Sequence, residues 1–442
     1  MIQKRGPELG GMGVAVVGGG RSGLPAARLA AAAGARVILL ERNPAVLDNA
    51  TRDLLEREGI PFRTGEHEPG QFEGADLVVL SPGIPPQAIR RYLPREGAPQ
   101  LCSELELAWW FVDRPVIAVT GTNGKTTTVG LIGRMLEKAG ISAFVGGNIG
   151  NPLSEHVLLG PDREVLVLEV SSFQMLFTYT FRPDVGVLLN FSPNHLDYHE
   201  SLEEYFEAKM RIFHRQSSGD MAVLPAEMRG LLEDRTDIPA QRVHFAARGR
   251  FDCPGLLGEH NQGNMEAAFA ASRPFGVSEG TAREAVRDFR PESHRLQSLG
   301  EQNGVLFVDD SKGTTLVAQE AALNSFDRPV LLLAGGRLKG DDPVRQTDLI
   351  RRRVKAAGVF GESREQLESA WKESTRVFSE QDMEAALDRL LELARPGDVV
   401  LLAPGTSSFD QYADYRERGR AFQDLVGRKG DSLPMMGAAE DG

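Results

Sequence analysis

Thr120-Gly121-Thr122-Asn123-Gly124-Lys125-Thr126-Thr127 follows the apolar run PVIAV at 115–119 and precedes VGLIGRMLEKAG at 129–140, a good amphipathic helix. A strand, a glycine-bearing turn and a helix in that order form a phosphate cradle at a helix N-terminus. Small residues let successive N–H groups converge on phosphate oxygens, Lys125 adds a mobile positive charge, and the hydroxyl of Thr126 is available to Mg²⁺. The loop is shorter than the ordinary Walker pattern, because Val119 stands where that pattern has its first glycine. Gly121, Thr122, Asn123, Gly124, Lys125, Thr126 and Thr127 are therefore the first candidate binding residues.

Working outward, short β-rich runs alternate with longer Ala- and Leu-rich stretches, the pattern of parallel α/β sheets. The alternation restarts twice. A first set holds GVAVVGGG at 13–20, VILLE at 37–41 and DLVVLSPG at 76–83. The second begins at Arg114 and continues through EVLVLEVSS at 164–172 and DVGVLLNFSP at 184–193. The third has GVLFVDDSK at 304–312, RPVLLLAGG at 328–336, AAGVFGES at 356–363 and GDVVLLAPGTSS at 397–408. The reading is an α/β chain of three domains, 1–113, 114–291 and 292–442: a Rossmann-like N-terminal domain, a P-loop ATPase-like central one and a Rossmann-like C-terminal one. A length of 442 residues agrees with three cores. The final dozen residues read as a frayed tail.

Composition sets limits on function. Fifty basic against 62 acidic side chains give a net charge of -12, which argues against a chain that coats nucleic acid or anionic membrane. An anionic ligand must be held by local donors. Two cysteines, Cys102 and Cys253, lie far apart, which argues against a disulfide framework and for a reducing cytoplasm. No signal peptide and no membrane-crossing run is predicted.

Gly18, Gly20 and Gly23 make a second glycine turn, GxGxxG, with Glu41 ending the next strand at about the dinucleotide-fingerprint spacing. A nicotinamide dehydrogenase, a bare strand-to-helix turn and another phosphate site all remain open for it, and Arg42 complicates a simple NAD reading. Glu169 ends a strong apolar strand, where ligands of parallel sheets collect; it either holds a metal near the phosphates or simply faces water. Beyond the next strand, His195, Asp197 and His199 also admit a zinc reading, without an HExxH pattern to support it. Ser201 to Arg215 reads as a helix opened by a capping box between Ser201 and Glu204. Lys209 falls in its apolar stripe: either the ammonium snorkels outward, or it is drawn inside with a lowered pKa and becomes open to modification.

Taken together, TGTNGKTT, LEVSSFQ, the Asn190–Asp197 segment, EAKMRIF, GEHNQGN, His294-Arg295, VDDSKGTT and APGTSSFDQY resemble, in order and across nearly the whole chain, the Mur ligases of peptidoglycan synthesis. SSFQ and SSFDQ are most similar to the D-glutamate-adding branch; the DNPR motif of the diaminopimelate enzymes is absent. The resemblance implies ATP and two Mg²⁺ ions as cofactors, UDP-N-acetylmuramoyl-L-alanine and D-glutamate as substrates, no nucleic-acid partner, no membrane insertion and a monomer. It assigns Gly20, Arg21, Ser22, Arg42, Ser81, Gly83 and Asn148 to the UDP substrate. Asn261, Arg295 and Asp310 join the ATP loop. Thr126 and Glu169 hold one Mg²⁺, and His195 and Lys209, the latter as a carbamate, hold the other, so Lys125, Glu169, His195 and Lys209 carry catalysis. Lys312, Thr314, Lys339, Ser408 and Tyr415 form the glutamate pocket. Two departures stand out: Asn194 where many relatives have an acid, and Tyr415 where phenylalanine is common. A Mur-type ligase with another amino acid or a folate acceptor, and a P-loop switch that binds a partner, are the competing readings.

Overall fold

The structure, a computed structural model, describes residues 5–68, 70–193, 198–253, 256, 259–290, 293–338 and 342–429. His195, Asp197, Lys339 and the C-terminal tail therefore lie outside the described residues. Three sheets form the frame. The first contains β1 (Gly13–Val17), β2 (Arg36–Glu41), β3 (Phe62–Thr64), β4 (Leu77–Leu80) and β5 (Gln100–Ser103), in the all-parallel order β3-β2-β1-β4-β5. The second contains β6 (Val116–Thr120), β7 (Ala143–Gly147), β8 (Val165–Glu169), β9 (Val185–Leu188), β10 (Met221–Pro225) and β11 (Gln241–Phe245), ordered β11-β10-β9-β6-β8-β7 and again parallel.

The third holds β12 (Gln297–Gln302), β13 (Val305–Asp309), β14 (Val330–Gly335), β15 (Val354–Phe360), β16 (Arg376–Ser379) and β17 (Val399–Leu402), ordered β12-β13-β17-β14-β15-β16. Only β12 runs antiparallel, pairing with β13 across a register shift at Ser298/Gly300. The predicted α/β class with three sheets is thus the observed one. Every strand the sequence reading named is present, because each is an apolar run buried on both faces, as parallel sheets demand. The strands it passed over, such as β3, β12 and β16, are short or half-polar.

The chain forms two compact units, residues 1–251 with 262–286, and residues 252–261 with 287–442. The first unit holds both leading sheets on one continuous apolar core, which runs from Val14 and Val79 through Trp109 and Trp110 to Leu168 and Leu224. Buried carboxylates pin the two sheets together. Glu106 accepts from Trp110 Nε1 at 3.1 Å, from the Thr180 N–H and hydroxyl at 2.7 and 2.6 Å, and from the Phe181 N–H at 3.0 Å. Glu104 accepts the Ser154 N–H at 2.6 Å, and its burial pushes its pKa up to about 7.

The predicted cap resolves differently from expectation. Ser201 accepts the Glu204 N–H at 3.0 Å and starts helix Leu202–His214, but the Glu204 carboxylate takes the Glu200 N–H at 2.8 Å, so the expected box is half made. A complete box forms instead at Ser171 and Gln174, opening the short helix Ser172–Leu176.

Candidate active site

β6 ends at Thr120, and the turn that follows needs two left-handed glycines, Gly121 at φ 153° and Gly124 at φ 82°. At Gly124 a side chain would also meet Asn264, with a Cβ 2.4 Å from Oδ1. Helix Lys125–Lys138 therefore begins with no side-chain cap, which leaves its first-turn N–H groups facing the loop. Lys125 Nζ donates to the carbonyls of Gly121 and Thr122, both at 2.9 Å.

The neighbouring strand ends close the floor. Glu169, at the end of β8, is buried and accepts the Thr126 hydroxyl at 2.8 Å and Asn148 Nδ2 at 3.0 Å. A hydroxyl and a carboxylate held side by side form an oxygen donor set suited to Mg²⁺. Lys209 is only 2% exposed, so the snorkelling alternative is ruled out. Its Nζ donates to Gly121 O at 2.9 Å and lies 4.4 Å from the centroid of the Tyr205 ring. Burial, reinforced by the nearby charge of Lys125, holds its pKa well below the usual lysine value. Thr126, Asn148, Glu169, Lys125 and Lys209 thus converge on one cradle. Asn148 meets the candidate metal carboxylate directly, a contact its sequence assignment to the UDP substrate did not include.

The first glycine turn is built differently. Gly23 packs so closely that a Cβ there would sit 1.7 Å from Gly18 O. Both oxygens of Glu41 are used by the fold: one accepts the Gly19 N–H at 2.6 Å, the other the Asn43 N–H at 2.7 Å. The acid that a dinucleotide reading reserves for a ribose serves here as a brace for the turn. Beside it a cavity of about 1150 Å³ is lined by, among others, Gly18, Arg42, Gly83, Ile84, Tyr92 and Tyr198. Arg42 and Gly83 are therefore brought together; Arg42 is exposed and pairs with Glu66 at 2.8 Å. Gly20, Arg21, Ser22 and Ser81 occupy the same edge of β1 and β4, with the Ser81 hydroxyl on Gly18 O at 3.3 Å.

Several residues between cavity and cradle have parts in the structure that sequence reasoning did not assign, and for His199 it offered only a zinc reading. Asn190 grips the phosphate loop, its Oδ1 accepting the Thr122 and Asn123 N–H groups at 3.1 and 2.9 Å and its Nδ2 donating to Asn123 O at 3.1 Å. Buried His199 lies 2.9 Å from the Ser172 hydroxyl through Nε2 and 3.4 Å from Glu204 through Nδ1. Tyr198 stacks on Phe173 with centroids 3.9 Å apart and donates its hydroxyl to Ile84 O at 3.2 Å. Their sequence signal was one polar-aromatic run after a strand, in which Asn190 opened a family segment and His199 entered the zinc reading.

In the second unit, β13 and β17 end side by side. Buried Arg418 donates to Ser311 O, Gly335 O and Thr406 O, at 2.9 to 3.1 Å, and burial lowers its pKa to about 10. The Ser311 hydroxyl donates to Tyr415 O at 2.8 Å, Lys312 Nζ lies 6.0 Å from the Tyr415 ring centroid, and Thr314 N donates to Lys312 O at 2.9 Å. Ser408, buried, follows β17 on the same edge. Asp310 is buried with its pKa raised to about 7, accepts the Leu296 N–H at 3.0 Å and feels the charge of Arg295. Asn261 is buried on helix Glu259–Ser272.

Comparison with known proteins agrees with this layout. Residues 119–250 match the Mur ligase middle domain, residues 294–406 the Mur ligase glutamate ligase domain, and residues 13–76 the pyridine nucleotide-disulphide oxidoreductase model. The chain belongs to the Mur ligase family, ATP-dependent enzymes for which Mg²⁺ is typical. Its relatives narrow the class. The UDP-N-acetylmuramoylalanine--D-glutamate ligase of Oleidesulfovibrio alaskensis is 48% identical over 94% of this chain and 94% of its own. That of Desulfovibrio desulfuricans is 48% identical over 93% of this chain and 95% of its own. Among solved structures, the MurF ligase of Thermotoga maritima in complex with ADP has a TM-score of 0.57 at 18% identity, over 90% of this chain and 96% of that one, which bears on the fold alone. No helix among the described residues is long and apolar enough to cross a membrane.

Proposed function

We propose that the chain joins D-glutamate to UDP-N-acetylmuramoyl-L-alanine at the expense of ATP, a step of peptidoglycan synthesis. The observation that carries this reading is the convergence of Lys125, Thr126, Glu169 and Lys209 on one glycine cradle, in a chain 48% identical to D-glutamate ligases. A carboxylate is a poor electrophile. A carboxylate oxygen of the alanine therefore takes the γ-phosphoryl group, ADP leaves, and the amine of D-glutamate attacks the acyl carbon. The tetrahedral intermediate loses phosphate and the amine proton, leaving an amide. The N–H groups at the helix start, from Gly124 to Thr127, and the Lys125 ammonium bind and orient the phosphates as charge gathers on the moving group. Asn261, Arg295 and Asp310 are carried over from the family resemblance as nucleotide contacts.

Mg²⁺ supplies charge neutralisation on the phosphoryl oxygens when bound. Thr126 and Glu169 would hold one ion; His195 and Lys209 would hold a second, and their roles are part of the proposal. A lysine whose burial favours the neutral amine is suited to attack carbon dioxide, lose a proton and become a carbamate. Residues 1–113 would take the UDP substrate through Gly20, Arg21, Ser22, Arg42, Ser81 and Gly83, with Asn148 reaching it from the central domain. Residues 114–291 would take ATP, and residues 292–442 D-glutamate through Lys312, Thr314, Lys339, Ser408 and Tyr415. Two buried cysteines that form no disulfide suit a reducing cytoplasm, and the family resemblance suggests a monomer.

The test supplies Mg-ATP and UDP-N-acetylmuramoyl-L-alanine with a panel of amino acids and weighs the product by mass spectrometry. Product heavier by one glutamate residue, with the D isomer alone and with ADP released only when both co-substrates are present, is expected. Transfer of a different amino acid, or addition of glutamate to a supplied folate acceptor in place of the UDP substrate, would move the chain to another branch.

A further inference from the structure

We propose that Asn190 is a positioning residue of the nucleotide cradle, an internal acceptor that holds the first half of the phosphate loop in its binding shape. The proposal rests on the ATP-dependent reading above. A phosphate loop with two left-handed glycines has little reason to hold one shape by itself. Elsewhere in the chain loops are braced by acids, as Glu41 braces the first glycine turn.

The second turn has a neutral brace. Asn190 follows β9, the strand beside β6, and its carboxamide lies along the loop backbone. Its Oδ1 accepts the Thr122 and Asn123 N–H groups and its Nδ2 returns a bond to Asn123 O, so three of the loop's backbone groups are satisfied by one side chain. The Asn190 carbonyl also takes the Thr122 N–H, at 3.2 Å. Two residues on, the Ser192 N–H donates to the Thr122 hydroxyl at 3.1 Å, and Tyr205 OH stands 3.2 Å from it. The helix that follows begins at Lys125 with no side-chain cap, and it is this half of the loop that meets phosphate in the reading above.

The chemistry of the brace accounts for its residue type. A carboxylate at 190 would accept the same two N–H groups, yet it would set a negative charge against the entering phosphates and lose the bond to Asn123 O. An amide fixes the turn without charge. Preorganisation of this kind lowers the ordering cost of binding and so appears in affinity for the nucleotide more than in turnover.

Binding of Mg-ATP and Mg-ADP to the full chain, by titration calorimetry, tests this alongside steady-state ligation. Asn190→Ala is expected to weaken both nucleotides about tenfold and to raise KM for ATP similarly, with kcat at saturating ATP within about threefold and KM for D-glutamate unchanged. Asn190→Asp is expected to be worse than Asn190→Ala. Thr122→Val, which keeps the Asn190 bonds and removes only the hydroxyl contacts, should show a smaller loss, and Asn190→Asp serves if Asn190→Ala does not fold. Wild-type affinity in Asn190→Ala, or Asn190→Asp binding as well as wild type, would overturn the proposal alone. A wild-type chain that bound no Mg-nucleotide would overturn the functional reading with it.

Discussion

Two glycine turns in one compact unit, at 18–23 and at 121–127, have the same local plan of strand, turn and helix at the carboxyl edge of a parallel sheet. What lies behind them differs. The first is filled by its own fold: Glu41 takes the Gly19 and Asn43 N–H groups, and Gly23 seats the helix against Gly18. The second is backed by Glu169, Lys125 and Lys209, with the amide of Asn190 as its brace. A glycine turn thus permits close approach of a ligand, and the side chains beneath it determine whether phosphoryl chemistry follows.

The contrast breaks most sharply at Lys125. Lys125→Ala is expected to cut ligation by about 10³-fold through lost stabilisation of the moving phosphoryl group, read from ADP release with all substrates saturating. Undiminished turnover would make the two turns equivalent.

Lys209→Ala should lose about 10²-fold or more, on the scale of one removed electrostatic contributor, with partial recovery in a short carboxylic acid and bicarbonate. Its pH behaviour has a defined sign. Burial lowers the folded pKa below the ordinary 10.5, so the folded state resists the proton, and stability withheld at neutral pH returns as pH climbs from that lowered value toward 10.5. In carbon-dioxide-free buffer Lys209→Met should therefore be more stable than wild type near pH 7, with the advantage shrinking as pH rises, a trend that denaturant melts would follow. An advantage independent of pH would contradict the buried-ammonium argument.

Gly23→Ala should cost about 2–3 kcal/mol, because the added methyl meets backbone rather than a movable side chain. Glu41→Gln should cost about 1–3 kcal/mol, because one of the two accepting oxygens becomes an NH2 donor set against a backbone N–H, and wild type should show no NAD(H) binding in fluorescence titration. Smallest is Arg42→Ala. Its pair with Glu66 is exposed, so melting should shift by less than about 0.5 kcal/mol while KM for the UDP substrate rises.

The strands that frame both turns were legible because parallel sheets buried on both faces write themselves as unbroken apolar runs. The phosphate loop was legible because a Gly-Lys-Thr-Thr run between a strand and a helix gathers N–H groups, a cation and hydroxyls at one point, a combination that suits phosphate and little else. Glu41 read as a candidate ribose ligand, since spacing along the chain does not disclose which N–H groups a carboxylate meets after folding. Asn190 passed without a role for the same reason: its three partners sit 67 and 68 positions earlier. The Lys209 ambiguity was a matter of burial, which one helix pattern leaves undecided until its neighbours are in place. The Ser171 to Gln174 box was visible as serine followed three places later by glutamine, yet was absorbed into a family signature.

Glu106, clasping Trp110, Thr180 and Phe181 at once, gives the first unit the character of a caliper whose jaws are welded. The cavity beside Arg42 and the phosphate loop ride on that single frame, so the span from one to the other is a property of the protein, and a ligand reaching across it is measured for length before any acceptor is chosen.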